Sequence, residues 1–468
     1  MFNNQSSIFN YSPLALTISY YYQMKNTFKL ATVLLVLCQC TPAICQTKPN
    51  ENLNQLIRLA IENAPKIKEQ QQNVLMGDFK TKIQETAAKP QVQGDVGISR
   101  TDPMAKATLP FGPSPVTLQF QPNMAYNVGI SANYVLYDWG RQAINLEKIK
   151  LEMELSKTNL EALKNLYAYQ VATLYYGIVY LLRGIDVQKD QLKLISENGL
   201  VITDRIKSGD ALEYDQVSVE VRYKNTESRL EDLKGQLERQ YIYLGALVGK
   251  DIRNAVPADA DFGVSLANVG VDEAMAQAQN TNLDLKAIKD RDAMAERDVL
   301  VSQKASLPTL AAVASVGLRN GYLPRINGEV PAITDDFRFG TNIGVRLTIP
   351  IYTGHRGAYQ TEVAKISRTM LKYSAEAINQ NLKRDLEAAK NDLNTAQNKL
   401  VLSEKTVAQA QYALKLAETR FKNGVVTNVE IDAAQTALRE AQFNQLQYKY
   451  QMTLATLEIN RLIGTRFW

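Results

Sequence analysis

The chain has almost nothing from which to build a reactive centre. Its three cysteines, Cys38, Cys40 and Cys45, all fall in the first 45 residues, and His355 is its one histidine. Everything after residue 45 therefore lacks disulfides, thiolate chemistry and zinc–cysteine sites. One histidine supports neither a His-based metal cluster nor a catalytic triad. With no phosphate loop either, the expectation is no enzyme, no cofactor and no metal. Charge of a single sign is also scarce. The net +5 is spread over 468 residues without clusters, so no nucleic-acid partner is implied.

The apolar run Leu30 to Leu37 is too short to span a bilayer. It follows the basic Met24-Lys25 to Lys29 segment and precedes Ala43-Ile-Cys45, small residues suited to cleavage before Gln46. Residues 1–45 therefore read as a secretory signal peptide, with Met24 as an alternative start. Cys38 leaves a lipid anchor open, but Leu37 stands before it where lipoprotein processing takes a small residue.

What the chain does have is heptad pattern. From Leu382 through Leu386, Ala389, Leu393, Ala396, Leu400, Ser403, Val407, Ala410, Leu414 and Ala417 to Phe421, apolar or small residues recur in alternating steps of four and three. That period of about 3.5 marks a helix that supercoils on a neighbour. Arg420-Phe-Lys-Asn-Gly424 ends it, with Gly424 suited to a left-handed cap. The pattern resumes from Ile431 to Leu462. Two long helices thus meet at a tight turn. Residues 141–207 and 211–248 predict a second such hairpin, turning at Arg205-Ile-Lys-Ser-Gly209.

Between the helical stretches lie strands. Residues 91–100, 126–136, 309–319 and 337–349 alternate apolar and polar positions, as half-buried strands do. The clearest has Phe337, Phe339, Ile343, Val345, Leu347 and Ile349 on one face, with Arg338, Asn342 and Arg346 on the other. Residues 102–122 and 320–336 are expected loops, residues 53–89 a helix kinked or broken at Pro65, and residues 271–307 a further helix. Tyr137-Asp-Trp-Gly-Arg141 is answered by Tyr352-Thr-Gly-His-Arg356, Pro90 by Pro308, and the first tip by the second, at an offset of about 215–218 residues. The organisation is a first repeat at 46–250, a linker at 251–270 and a second repeat at 271–468.

Each strand is near the roughly 9–11 residues that a tilted strand needs to cross a bilayer. An apolar face without a partner and a polar face with arginines suit a transmembrane barrel with a wet interior. Four strands are too few to close one, the smallest having about eight, so several chains must contribute. A helix over residues 141–207 would be about 100 Å long. The competing reading is a periplasmic coiled-coil scaffold with a small soluble sheet.

Duplication, strand pairs and twin tips together resemble the TolC family of outer-membrane efflux proteins, over about Leu53 to Gly464. The resemblance implies a mainly α fold with β: a long α-helical coiled-coil tunnel in the periplasm joined to a trimeric twelve-stranded transmembrane β-barrel, four strands per chain. It implies an outer-membrane homotrimer that serves as the passive exit duct of a tripartite efflux or type I secretion system. Its partners would be a periplasmic adaptor (membrane fusion protein), an inner-membrane pump of RND or ABC type, and outer-membrane lipid. Tip residues Arg205, Lys207, Gly209, Arg420, Phe421, Lys422 and Gly424 would contact the adaptor. Acidic residues beyond the tips would line the pore gate, at Asp215 in the first repeat and Glu430 in the second. A further ring is expected three residues after Glu430, where this chain has Ala433 with Asp432 beside it. That ring is therefore absent or shifted by one.

Overall fold

A computed structural model describes residues 51–110, 112–253, 256–257, 260–263, 270–320, 325–327 and 337–467. The expected signal peptide and all three cysteines lie outside the described residues, as do parts of the linker and of the second long loop.

The duplication is visible in element lengths. The first repeat holds α1 (Glu51–Asn63), α2 (Pro65–Thr86), β1 (Gln91–Arg100), β2 (Lys106–Leu109), β3 (Val116–Gln119), β4 (Met124–Tyr137), α3 (Arg141–Lys207) and α4 (Glu213–Val248). The second holds α5 (Val271–Thr281), α6 (Leu283–Lys304), β5 (Thr309–Arg319), β6 (Arg325–Ile326), β7 (Arg338–Thr348), α7 (Arg356–Lys422) and α8 (Asn428–Ile463). α3 and α7 each have 67 residues, and α4 and α8 each have 36.

Pro65 breaks the first helical stretch, starting α2 at a position where its missing N–H costs nothing. The second stretch, expected to run unbroken from 271 to 307, also breaks. Asn282 leaves the helical region and its side-chain oxygen accepts from the backbone N–H groups of Asp284 and Leu285, an N-cap that starts α6. Both breaks serve one joint. Asn63 Nδ2 donates to the carbonyl of Val248 at the end of α4, and Asn282 Nδ2 to that of Leu462 near the end of α8. Each short helix thus continues the line of a returning one.

The helices stand as four parallel rods: α2 over α4, then α3, then α6 over α8, then α7. Lys148–Asp298 joins α3 to α6, and Arg368–Asp292 joins α6 to α7. Along α7 the heptad positions Leu382, Leu386, Ala389, Leu393, Ala396, Ser403, Leu414 and Phe421 are buried. At the far end Ile195, Ile202, Val219, Phe421, Val426 and Ile431 form a core shared by both hairpins. No described helix is long and apolar enough to cross a membrane.

The main sheet is antiparallel in the order β1-β4-β5-β7. Its register puts Val96, Val128, Leu318 and Phe339 in one cross-strand row, and Val92, Ala132, Ala314 and Ile343 in another on the same face. The opposite face carries the row Gln93, Ser131, Ser315 and Asn342. Ile343 is 85% exposed, so no described helix covers the apolar face. This is the arrangement a lipid-facing sheet requires and a soluble one avoids.

The expected loop at 102–122 is partly a strand pair. β2 and β3 pair with each other, and β3 pairs with β6 from the second repeat. Asn327 fastens this junction by accepting from the Thr117 backbone N–H at 2.9 Å. The runs Lys106–Leu109 and Val116–Gln119 are only 4 residues each, too short for alternation to stand out among the flanking prolines and glycines.

Candidate gate at the helical tips

The two hairpins turn by the same geometry. After α3, Gly209 takes φ 81°, its N–H donates to the Ile206 carbonyl, and the Asp210 N–H donates to that of Arg205. After α7, Gly424 takes φ 73°, with Gly424 donating to Phe421 and Val425 to Arg420. This paired closure uses up the last carbonyls of a helix and favours glycine at the left-handed position.

The tip residues divide into two groups. Arg205 reaches from the first tip to the second. Its guanidinium lies 4.9 Å from the centre of the Phe421 ring, and it donates to the carbonyls of Asp210 at 3.3 Å and Phe421 at 3.5 Å. Phe421 is only 4% exposed, so its ring belongs to the shared core rather than to a docking surface. Lys207, Arg420 and Lys422 are exposed. Lys207 pairs with Asp204 at 3.0 Å.

The three acids also part company. Asp215 and Glu430 both sit in the first turn of a returning helix. Asp215 accepts from the Leu212 backbone N–H at 3.2 Å, so it caps α4. Glu430 is exposed and makes no ion pair among the described residues. Asp432 is turned inward and pairs with Arg222 of α4, which ties the first hairpin to the second. Burial pushes the Asp432 carboxyl up to about 6; Arg222 opposes that shift and the charge of Asp215 adds to it. Burial lowers Arg222 in turn, against the pull of Asp432.

Sequence reasoning missed Arg222. The signal was its place one heptad after Asp215 on α4. It also missed a polar seam between the hairpins. Buried Asn198 of α3 donates to Asn428 of α8 at 2.9 Å, and buried Gln435 reaches the Leu194 carbonyl at 3.5 Å. Asn428 and Gln435 lie off the apolar stripe of α8, on a second face that packs on α3.

The model of the family described as outer membrane efflux protein matches residues 56–250 and 274–465, most of the chain and both repeats. The chain belongs to this family. It is 25% identical over 282 residues to outer membrane protein TolC of Vibrio cholerae serotype O1, covering 59% of this chain and 60% of that relative. It is 22% identical over 430 residues to outer membrane efflux protein BepC of Brucella suis biovar 1, covering 92% and 89%. Against the former, the match spans about three fifths of the relative's length. The crystal structure of the outer membrane protein VceC from Vibrio cholerae superposes with TM-score 0.71 at 16% identity, covering 89% of this chain and 97% of that one. The fold is thus that of an outer-membrane channel, with a helical tunnel below a sheet of four strands per chain.

Within this family fold, α4 and α8 carry the acids and Arg222, while α3 and α7 carry the tip cations. The chemistry of such a site is electrostatic, because the tip offers charges and hydrogen bonds but no nucleophile with a base.

Proposed function

We propose that three copies of this chain close into one duct through the outer membrane and periplasm. It would be the passive exit of an efflux or type I secretion system, joined by a periplasmic adaptor to an inner-membrane pump of RND or ABC type. On this reading the chain is not an enzyme, since the pump supplies the energy. The observation that carries the proposal is a pair of complementary open edges. β1 and β7 end the sheet unpaired, and the helices attached to them, α2 and α7, are the outer rods. Each outer rod leaves an apolar stripe exposed: Leu75, Met76, Phe79 and Ile83 on α2, and Tyr359, Val363, Ile366, Met370 and Tyr373 on α7. Stripes at helical spacing on the two ends of one wall fit head-to-tail closure into a ring. Tyr137, Trp139 and Tyr352 are exposed where the sheet meets the helices, as aromatic residues at a membrane interface are.

The duplication supplies an expected register for the ring. Inside the chain α3 meets α6 through Lys148 with Asp298 and Thr158 with Asp290. If α7 meets α2 of the next copy in the same way, the repeat offset puts Val363 beside Lys80 and Tyr373 beside Gln72. No cysteine follows residue 45. Phe79→Cys with Val363→Cys should therefore crosslink copies into a covalent trimer in outer-membrane fractions, while each single variant gives none. Crosslinked dimers alone, or protein absent from the outer membrane, would refute the ring.

At the closed end, three copies of Glu430 would surround one axis, and clustered carboxylates attract and hold cations. Asp432 contributes less to such a ring, being committed to Arg222. Exposed Lys207, Arg420 and Lys422 suit an adaptor contact, with Arg205, Phe421, Gly209 and Gly424 holding the tip in shape.

A further inference from the structure

Two of the polar atoms left without partners near the tips belong to residues that line one small cavity. It encloses about 140 Å³ where the two hairpins meet. Glu197 and Asn198 of α3, Glu418 and Lys422 of α7, and Gln435 of α8 line it, with Phe421 beside them. Asn198 interrupts the buried stripe of α3, between Ile195 and Ile202. An apolar residue there would lose nothing on leaving water, whereas a buried amide needs hydrogen-bond partners. Gln435 is its counterpart on the face of α8 that packs on α3.

Both amides are buried and only half satisfied. Asn198 is 6% exposed and Gln435 2%. Asn198 Nδ2 donates to Asn428, which is not part of the cavity lining, so Asn198 Oδ1 is the atom left on the cavity side. Gln435 Nε2 reaches the Leu194 carbonyl. Neither Asn198 Oδ1 nor Gln435 Oε1 has a hydrogen-bond partner among the described residues. Exposed Glu197 and half-buried Glu418 make no ion pair among the described residues. Lys422 is the one cation in the lining, so two carboxylates stand against one ammonium and the lining is net negative. The cavity therefore offers oxygen acceptors and lacks positive charge to match them.

Oxygen ligands without nitrogen or sulfur select a hard cation. Amide carbonyls mixed with carboxylates suit calcium, which takes about six to eight oxygens in flexible geometry, whereas magnesium keeps several of its own waters. No group of three or more His, Cys, Asp and Glu side chains among the described residues is placed to hold a metal. Here two carboxylates are completed by two amides. We propose that this cavity binds one calcium ion through Asn198 Oδ1, Gln435 Oε1 and the carboxylates of Glu197 and Glu418. The ion ties α3 of the first hairpin to α7 and α8 of the second. Glu430 is not among the lining residues, so the site is separate from the exposed acid at the tip. The inference goes beyond the exit-duct reading and does not depend on it.

The test uses the purified full chain freed of divalent ions, with Glu430→Ala in every sample so that the exposed tip acid does not contribute. Calorimetric titration with calcium chloride should show one saturable site per chain, with a Kd on the order of 0.1–1 mM, as in sites with few carboxylates. Calcium chloride should also raise the unfolding midpoint, and sodium chloride at equal ionic strength should not. Glu197→Gln with Glu418→Gln, which keeps shape and removes charge, should weaken calcium binding roughly tenfold or more. Its midpoint without calcium should be unchanged or higher. Gln435→Met, with both carboxylates intact, should weaken binding by a smaller factor. No calcium-specific response in the parent would overturn the proposal and leave the cavity to water. Full calcium binding in the double glutamine variant would place the ion elsewhere, and full binding in Gln435→Met would confine it to the outer carboxylates; either result rejects the site. A lower midpoint of the double variant without calcium would show that the acids already have partners, and would reject it as well.

Discussion

Two seams run the length of the helical wall, and they are built differently. The seam inside the second hairpin, between α7 and α8, is Leu and Ala at heptad spacing, with Leu386 and Leu393 each only 2% exposed. The seam between the hairpins, near the tips, is mixed: beside the small shared core of Ile195, Ile202, Val219, Phe421, Val426 and Ile431 it carries a run of polar groups. It holds Asn198, Asn428, Gln435, Arg222 and Asp432, and among them Asn198 Oδ1, Gln435 Oε1 and the Arg222 Nε and Nη2 atoms lack hydrogen-bond partners among the described residues. Apolar surface gains by staying shut, whereas unsatisfied buried polar groups gain by meeting water. The join between the hairpins therefore carries a desolvation cost that the apolar seam inside the second hairpin does not.

The comparison is broken most directly from the apolar side. Leu393→Ala should destabilise by about 2–5 kcal/mol, the usual cost of a buried Leu truncation. Thermal unfolding of the purified protein measures it, and a negligible shift would mean that the seam is not close-packed. Next comes Asp432→Ala, which strands Arg222. Breaking a buried pair costs about 3–5 kcal/mol, and less here because both side chains keep some solvent contact. Asp432→Leu with Arg222→Leu should recover most of that loss, since an apolar pair needs no desolvation. No recovery would show that the pair itself stabilises the seam.

The third test is pH. The Asp432 carboxyl titrates near 6 in the folded protein against an ordinary 3.8. Between those values the folded state holds more protons than the unfolded one, so this group's contribution to stability falls as pH rises from about 4 to 6. Unfolding midpoints of wild type should decline over that window relative to Asp432→Asn. Parallel profiles would mean that the carboxyl is not buried against its charge. Smallest is Glu430→Ala, which should leave stability unchanged because Glu430 is exposed. It should nonetheless weaken cation selectivity and relieve divalent-cation block in a planar bilayer. Unchanged conductance would remove Glu430 from the gate.

Much of this architecture was readable in the linear pattern because its rules are local. The three-four steps from Leu382 to Phe421, the alternation from Phe337 to Ile349, and the glycines at 209 and 424 each depend on neighbours a few residues away. The break at Asn282 was local too, but an Asn cap without proline is a weaker mark than Pro65. The small sheet of β2, β3 and β6 was hidden because pairing Thr117 with Asn327 joins residues 210 apart.

The site divided along the same line. By itself the sequence determined the duplication, the twin tips and which acids follow them, since all are set by spacing along the chain. Only the tertiary structure decided what those residues do to one another. Phe421 was expected at the surface and is buried under Arg205, because the two tips share one core. Asp215, Glu430 and Asp432 looked alike as carboxylates; one caps a helix, one faces solvent and one is tied to Arg222. A carboxylate's role follows from its burial and its partner, and both are supplied here by helices that meet only when the two halves of the chain fold side by side.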